Sequence, residues 1–315
     1  MMVENAPRVL SHVPEGLLRP LRARFPDLSV EVIPRQGLIP QGPATDVLLT
    51  FTDASDNLRE AMDRGVKWVH AYGTGVNAFP FDVLGDAVLT CSRGASAVPI
   101  AEWALAMILA AEKQLPEAWV HEPPERWNTT RFLGGMAGRT LGLIGLGGIG
   151  QAVARRAQAF DMHVVGLRRH ASTSPPPGVE LASDLSALMG SSDHLVIAAP
   201  ATPETHHMIG REALAAAKPG LHLINIARGE LIDQEALREA LETERIALAS
   251  LDVVEPEPLP AGHWLYSHPK VRLSPHISWS APGALSGLLD AFVLNLDRFI
   301  RGEPLQGRVD LELGY

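Results

Sequence analysis

Residues 139–168 read RTLGLIGLGGIGQAVARRAQAFDMHVVGLR. The apolar run from Thr140 to Ile144 has the look of a buried strand. Gly145, Gly147 and Gly150 follow in the spacing G-x-G-x-x-G. An alanine-rich amphipathic segment comes next, then a second apolar run from His163 to Leu167. Strand, glycine turn, helix and strand in that order are the context a dinucleotide fingerprint requires. Gly145 allows the sharp turn out of the strand, Gly147 lets the backbone approach a pyrophosphate, and Gly150 lets the helix pack closely on the strand. The helix opens with free N–H groups around Gly148 and Ile149, at the positive end of its dipole. The competing readings of the same residues are a tight turn with no ligand and a related nucleotide such as a flavin.

An acidic residue about 20 positions past the glycines would bind a ribose 2′-hydroxyl. This chain has Arg168 and Arg169 at the end of the second strand. Arginine cannot accept a hydrogen bond but pairs well with a 2′-phosphate. The expected cofactor is therefore NADPH (NADP), with NAD as the alternative if both arginines are solvated loop charges.

The chain of 315 residues is long enough for two domains, and its net charge of −9 implies no basic face for nucleic acid. The single cysteine, Cys91, excludes an internal disulfide and reads as a buried thiol. No leader pattern opens the sequence, and the longest apolar stretch, Trp103 to Ala111, is too short to span a membrane. A cytoplasmic protein with no membrane partner is expected, and no metal ion. Ser172 to Gly178 reads as a short proline-rich surface loop.

Strands alternate with helices along most of the chain, which implies parallel sheets with right-handed crossovers. Strands are expected at 8–13, 28–33, 46–51, 66–71 and 87–90, with helices at 15–25 and 56–64. Beyond the glycine unit, strands are expected at 194–199, 221–227, 246–254 and 271–274. With the two around the glycine loop they make six. Pro99 to Lys113 reads as a helix apolar all round, to be buried on most sides. The last helix, Gly283 to Arg301, should return to the first block. The fold class is α/β: a doubly wound parallel sheet of the Rossmann type, 93–282, and a smaller discontinuous α/β domain, 1–92 plus 283–315.

Ligands of open parallel sheets bind at the carboxyl ends of strands. Three polar residues fall at such ends: Arg228 after LHLINIA, Glu257 after ASLDVV and His276 in SPHIS. Arginine can grip a carboxylate bidentately. Histidine can act as general acid near neutrality, and a carboxylate beside it favours the charged ring and fixes its tautomer. That set suits hydride transfer to the carbonyl of a charged substrate. Taken singly, Arg228 could be a surface cation, Glu257 a solvated acid with Glu255 as its competitor, and His276 a structural histidine. The turn Gly73-Thr74-Gly75 after a strand could form an anion nest or be a plain turn.

The motifs GLIGLGGIG, NIARGELIDQEALREAL, LDVVEPEPLP and SPHIS resemble the D-isomer-specific 2-hydroxyacid dehydrogenases, densely from about Ala97 to Ala281. The resemblance implies a cofactor domain inserted into a flavodoxin-like substrate domain, with the active site in the cleft between them. It also implies a homodimer built with the help of the helix at 99–113. It makes Arg228 the substrate-binding arginine, His276 the acid/base histidine, and Glu257, five residues after Asp252, its partner. Ala227 and Asp252 fall beside the cofactor, Asp252 near the nicotinamide carboxamide. Pro200 and Thr205 border the adenosine, and Thr74 with Gly75 matches the turn that binds the substrate carboxylate. Arg168 departs from the usual acidic residue, as in the NADPH-using glyoxylate and hydroxypyruvate reductases. The first domain is slightly short and keeps few family residues. Trp279 stands where a small residue is common, and either shapes the substrate pocket or packs beneath it. The expected activity is reduction of a small 2-oxoacid, glyoxylate or hydroxypyruvate. Formate oxidation is disfavoured because glutamine would replace Glu257. Phosphite oxidation and a non-catalytic dinucleotide-sensing role are the remaining alternatives.

Overall fold

Short buried runs of valine, leucine and isoleucine, punctuated by glycine and proline, form two all-parallel sheets in the computed structural model, which describes residues 6–53, 55–169 and 174–315. The chain divides into two compact units, 1–96 with 281–315, and 97–280.

In the first unit the strands are β1 (Val9–Ser11), β2 (Val30–Val32), β3 (Val47–Thr50), β4 (Trp68–Ala71) and β5 (Val88–Cys91), with helices α1 (Arg19–Arg24) and α2 (Leu58–Met62) between them. Their spatial order is β2-β1-β3-β4-β5, the flavodoxin-like winding. The C-terminal helix, Ala284–Ile300, returns to this unit. It buries Leu288, Leu289, Phe292 and Leu296 against Val9, Leu49 and Trp68. Phe292 stacks on the Trp68 ring at 5.2 Å. The expected helix at 15–25 is instead a 3-10 turn, Glu15–Leu17, followed by α1, which has Pro20 in its first turn. Proline there lacks only an N–H that would go unused. Cys91 is buried, and burial pushes its thiol pKa up.

The second unit opens with α3 (Ala97–Glu112) and continues through β6 (Thr140–Ile144), α4 (Gly148–Gln158), β7 (His163–Leu167), β8 (Val179–Leu181), α5 (Leu185–Ser191), β9 (His194–Ile197), α6 (Arg211–Ala216), β10 (Leu221–Asn225), α7 (Gln234–Glu242), β11 (Ile246–Leu251) and β12 (Val271–Leu273). The sheet order is β12-β11-β10-β9-β6-β7-β8. The winding reverses between β6 and β9, the switch point where doubly wound sheets hold their ligand. Asp184 and Asp233 cap α5 and α7 by accepting backbone N–H groups.

One further expectation needs correction. Among the described residues this sheet has seven strands rather than six, β8 being the one not foreseen. Two of its three residues are exposed, so it carries no run of buried apolar residues. Of the proline-rich loop before it, Ser172 and Thr173 lie outside the described residues. Within this unit α3 buries one face, through Ile100, Ala101, Ala104, Leu105 and Ile108, while Val98 and Ala106 stay exposed. No helix among the described residues is long and apolar enough to cross a membrane.

Candidate active site

The glycine loop sits at the switch point. Gly145 has φ +95°, and a Cβ there would lie 2.7 Å from the Ala198 carbonyl oxygen, just past β9. A Cβ on Gly150 would lie 2.1 Å from the Gly145 carbonyl oxygen. Only glycine lets α4 start so close to β6. A Cβ on Gly147 would meet nothing within 4 Å, so the backbone there faces open space. No side chain caps α4 at Gly147. The first N–H groups of a helix have no partner within it. Those of Gly148, Ile149 and Gly150 are therefore offered to whatever fills the open side, and a pyrophosphate fits such a cradle.

Arg168 and Arg169 follow β7 directly. Arg168 is half-buried, and its Nη1 donates to the Ser174 carbonyl at 3.4 Å. Arg169 reaches the loop after β9, donating to the Thr202 hydroxyl at 3.3 Å and pairing with Glu204 at 3.2 Å. That loop is tied by Thr205, whose hydroxyl donates to the Pro200 carbonyl and accepts from the Thr202 N–H, each at 2.8 Å.

Three further residues gather at the carboxyl edge. Asn225, the last residue of β10, shapes the next turn. Its Nδ2 donates to the Arg228 carbonyl at 2.8 Å, and its Oδ1 accepts the Ala227 N–H at 3.1 Å. Gly229 then lies against the chain beyond β11, where a Cβ would be 2.0 Å from the Val254 carbonyl carbon. That crossing sets Arg228 beside the segment carrying Glu257. Burial lowers the Arg228 pKa, while the carboxylates of Glu257 and Glu230 pull it up.

Glu257 faces His276. Its Oε2 lies 2.8 Å from His276 Nδ1, and its Oε1 accepts the Val254 N–H at 3.1 Å. The Nε2 of His276 makes no hydrogen bond among the described residues. With Nδ1–H donated to a carboxylate, Nε2 is the atom left to exchange a proton with a ligand.

His276 has φ +54°, a left-handed conformation that the loop must hold. Asp252, 1% exposed, holds it. Its carboxylate accepts from the Ser274 hydroxyl at 2.6 Å and from the N–H groups of Ile277 and Ser278 at 2.9 Å each. Trp279 donates its indole N–H to the His276 carbonyl at 3.0 Å and packs its ring against the core beneath. Sequence reasoning did not foresee these supporting roles of Asn225 and Asp252, nor the indole hydrogen bond of Trp279, whose packing was one of its two expected roles. The asparagine of N-x-A-R-G and the aspartate of L-D-V were visible as motif letters, but nothing in them says which backbone they tie. Thr74 and Gly75 follow β4 in the first unit, where the Thr74 hydroxyl donates to the Ser92 carbonyl at 3.5 Å.

The family model for the NAD binding domain of D-isomer specific 2-hydroxyacid dehydrogenases matches residues 105–278, more than half of the chain. The chain belongs to the D-isomer specific 2-hydroxyacid dehydrogenase family. It is 40% identical to a glyoxylate reductase from Thermococcus gammatolerans over 64% of this chain and 63% of that one. It is 36% identical to a D-3-phosphoglycerate dehydrogenase from Methanocaldococcus jannaschii over 78% of this chain. The match spans only 48% of that dehydrogenase's own length. A D-isomer specific 2-hydroxyacid dehydrogenase from Xanthobacter autotrophicus Py2, solved with NADPH and MES, superposes with a TM-score of 0.84 at 26% identity, covering 99% of this chain and all of that one. The region matched by the family model contains the glycine loop, both arginines after β7, Arg228, Glu257 and His276.

Proposed function

We propose that this chain reduces a small 2-oxoacid to the D-2-hydroxyacid with NADPH, glyoxylate or hydroxypyruvate being the expected substrates. The observation that carries the reading is the His276–Glu257 pair at 2.8 Å, on the same sheet edge as Arg228 and the open glycine loop. When bound, the cofactor supplies the hydride that C2 of the substrate receives. Arg228 holds the substrate carboxylate and polarises the adjacent carbonyl. His276 delivers the proton from Nε2 to the carbonyl oxygen, giving the hydroxyl, and Glu257 holds the opposite ring nitrogen. For the turn at Thr74–Gly75 the reading assigns backbone N–H groups to a carboxylate. Gly145 to Gly150 hold the pyrophosphate, and Pro200, Thr205, Ala227 and Asp252 border the cofactor.

NADPH is favoured by Arg168 at the ribose position and by the NADPH-bound relative. Glyoxylate is favoured by the archaeal reductase. Similarity to a phosphoglycerate dehydrogenase favours a phosphorylated hydroxyacid as the second reading. The test is reduced-cofactor oxidation, with NADPH and NADH in turn, against glyoxylate, hydroxypyruvate, its 3-phosphate and bulkier 2-oxoacids. NADPH-dependent turnover supports the proposal. Turnover of the 3-phosphate alone moves the assignment to the second reading, and silence with every acid sinks both. Arg168→Gln raises KM for NADPH and not for NADH if the arginine reads the 2′-phosphate. Arg228→Ala chiefly impairs substrate capture.

The proposal includes a homodimer through α3 and the segment after it. That segment exposes Trp119, Trp127 and Phe132, at 60%, 77% and 91%, more apolar surface than a lone chain ordinarily leaves in water. Light scattering of the Trp127→Ser/Phe132→Ser variant tests it, since a dimer unchanged by both would assign the contact elsewhere.

A further inference from the structure

Two loops of the second unit carry side chains that the proposed reaction does not use. His206 and His207 lie in the loop after β9, and Glu255 lies in the loop after β11. Each offers one ligand atom, and the three atoms lie within 4.8 Å of one another. Consecutive side chains of an extended segment point to opposite sides. Here His207 takes φ +50°, and the two imidazoles stack with centroids 3.9 Å apart and planes 25° apart.

The walls of this cluster are fixed by bonds that involve none of the three side chains. Thr205 ties the first loop to Pro200 and Thr202, and the His207 N–H donates to the Glu230 carbonyl at 2.8 Å. On the other side the Glu255 carbonyl accepts the Gln234 side-chain amide. The backbone there lies so close to Gly229 that a Cβ on that glycine would be 2.5 Å from the Glu255 nitrogen. Two anchored loops therefore present two imidazoles and a carboxylate to solvent together.

That donor set selects a class of ligand. Magnesium and calcium take oxygen ligands almost throughout. Zinc takes imidazole nitrogen and carboxylate oxygen, with three protein ligands and a water completing a tetrahedron. Bonds of about 2.0 Å put tetrahedral ligand atoms about 3.3 Å apart. All three side chains are exposed, so rotation about their side-chain bonds is open to closing the present gap toward that spacing.

We propose that His206, His207 and Glu255 form a surface site for a divalent transition ion of the zinc class. The bound ion ties the loop after β9 to the loop after β11, two residues ahead of Glu257. Imidazole binds the metal only when unprotonated, so protons compete with the ion for these nitrogens.

The experiment is calorimetric titration of the EDTA-stripped, dialysed full chain with zinc chloride, alongside cobalt(II), whose visible absorption reports tetrahedral coordination. The expected result is one saturable site for zinc and none for magnesium. Glu255→Gln and His207→Ala each weaken it by about tenfold or more. His163→Ala, on an exposed histidine elsewhere in the unit, leaves it unchanged. Thermal unfolding in EDTA confirms that each variant folds, and if His207→Ala does not, Glu255→Gln decides. No saturable zinc binding, or binding that survives loss of the carboxylate and the imidazole, overturns the proposal.

Discussion

His276 Nδ1 stands 2.8 Å from Glu257, and His194 Nε2 stands 3.0 Å from Glu112. Both pairs belong to the second unit. The first lies at the carboxyl edge of the sheet, its side chains 42% and 37% exposed. The second lies at the amino edge, where His194 begins β9, its side chains 4% and 10% exposed. The buried pair extends further. His194 Nδ1 meets His222 Nδ1 at 3.2 Å, and His222 Nε2 meets the Ser250 hydroxyl at 2.9 Å. Every ring nitrogen there has a partner, whereas His276 keeps Nε2 for something else. Burial lowers the pKa of His194 although Glu112 pulls the other way, and lowers that of His222 still more plainly. The same two residue types thus leave a ring nitrogen open where a ligand can reach the ring and make a brace where it cannot.

The largest effects test that division directly. His276→Asn keeps a residue that tolerates the left-handed backbone and removes the imidazole. Turnover should fall by about 10²–10⁴, with cofactor binding by fluorescence and the urea midpoint both preserved. His194→Ala should do the reverse. Turnover per folded molecule holds, while stability drops by about 1–3 kcal/mol as Glu112 and His222 lose a buried partner. Urea unfolding beside active-site titration measures both, and a folded but inactive His194→Ala would break the comparison.

A smaller effect follows from pH. The unfolded chain protonates His194 and His222 around their ordinary 6.5, and the folded chain does so only at lower pH, because burial disfavours the charged rings. Each ring therefore removes stability as pH falls below 6.5, by up to about 1.4 kcal/mol per pH unit. The urea midpoint should decline between neutral and mildly acidic pH, and the His194→Gln/His222→Gln variant should decline less steeply. Equal slopes would mean that the buried pair is not the titrating element.

The two pairs were not equally legible in the chain. Strands β6 and β7 and helix α7 fall where the apolar periodicity puts them, because both strands are single apolar runs and α7 begins at a capping aspartate. Most other boundaries moved by one to three residues at their ends; strands expected to run up to Pro14, Pro34, Pro200 and Pro275 stop one or two residues before Val13, Ile33, Ala199 and Ser274. Glu255 and Glu257 compete on local sequence, and only the fold places Glu257 on His276 and Glu255 beside His206 and His207. The His194–Glu112 pair was invisible, since it joins the end of α3 to the start of β9 through sheet order, with no motif at either end. Asp252 shows the same limit: its letter stands in a motif, but its hydrogen bonds to Ser274, Ile277 and Ser278 depend on β11 and β12 being neighbours.

Exposure leaves the His276 pair dependent on its loop, and the smallest effect lies there. Trp279 contributes an indole N–H to the His276 carbonyl and a ring to the core below. Trp279→Phe keeps most of the ring and deletes the donor, which costs about 0.5–1.5 kcal/mol of loop stability. If that bond fixes the imidazole for proton delivery, kcat should fall by about 2–10-fold. KM for the cofactor should stay level. A ring that only fills space would leave kcat at the parent value in Trp279→Phe and change it only in Trp279→Ala. Comparing the two variants therefore separates a residue that orients the histidine from one that packs beneath it. No equivalent experiment exists at His194, where burial on every side already fixes the ring.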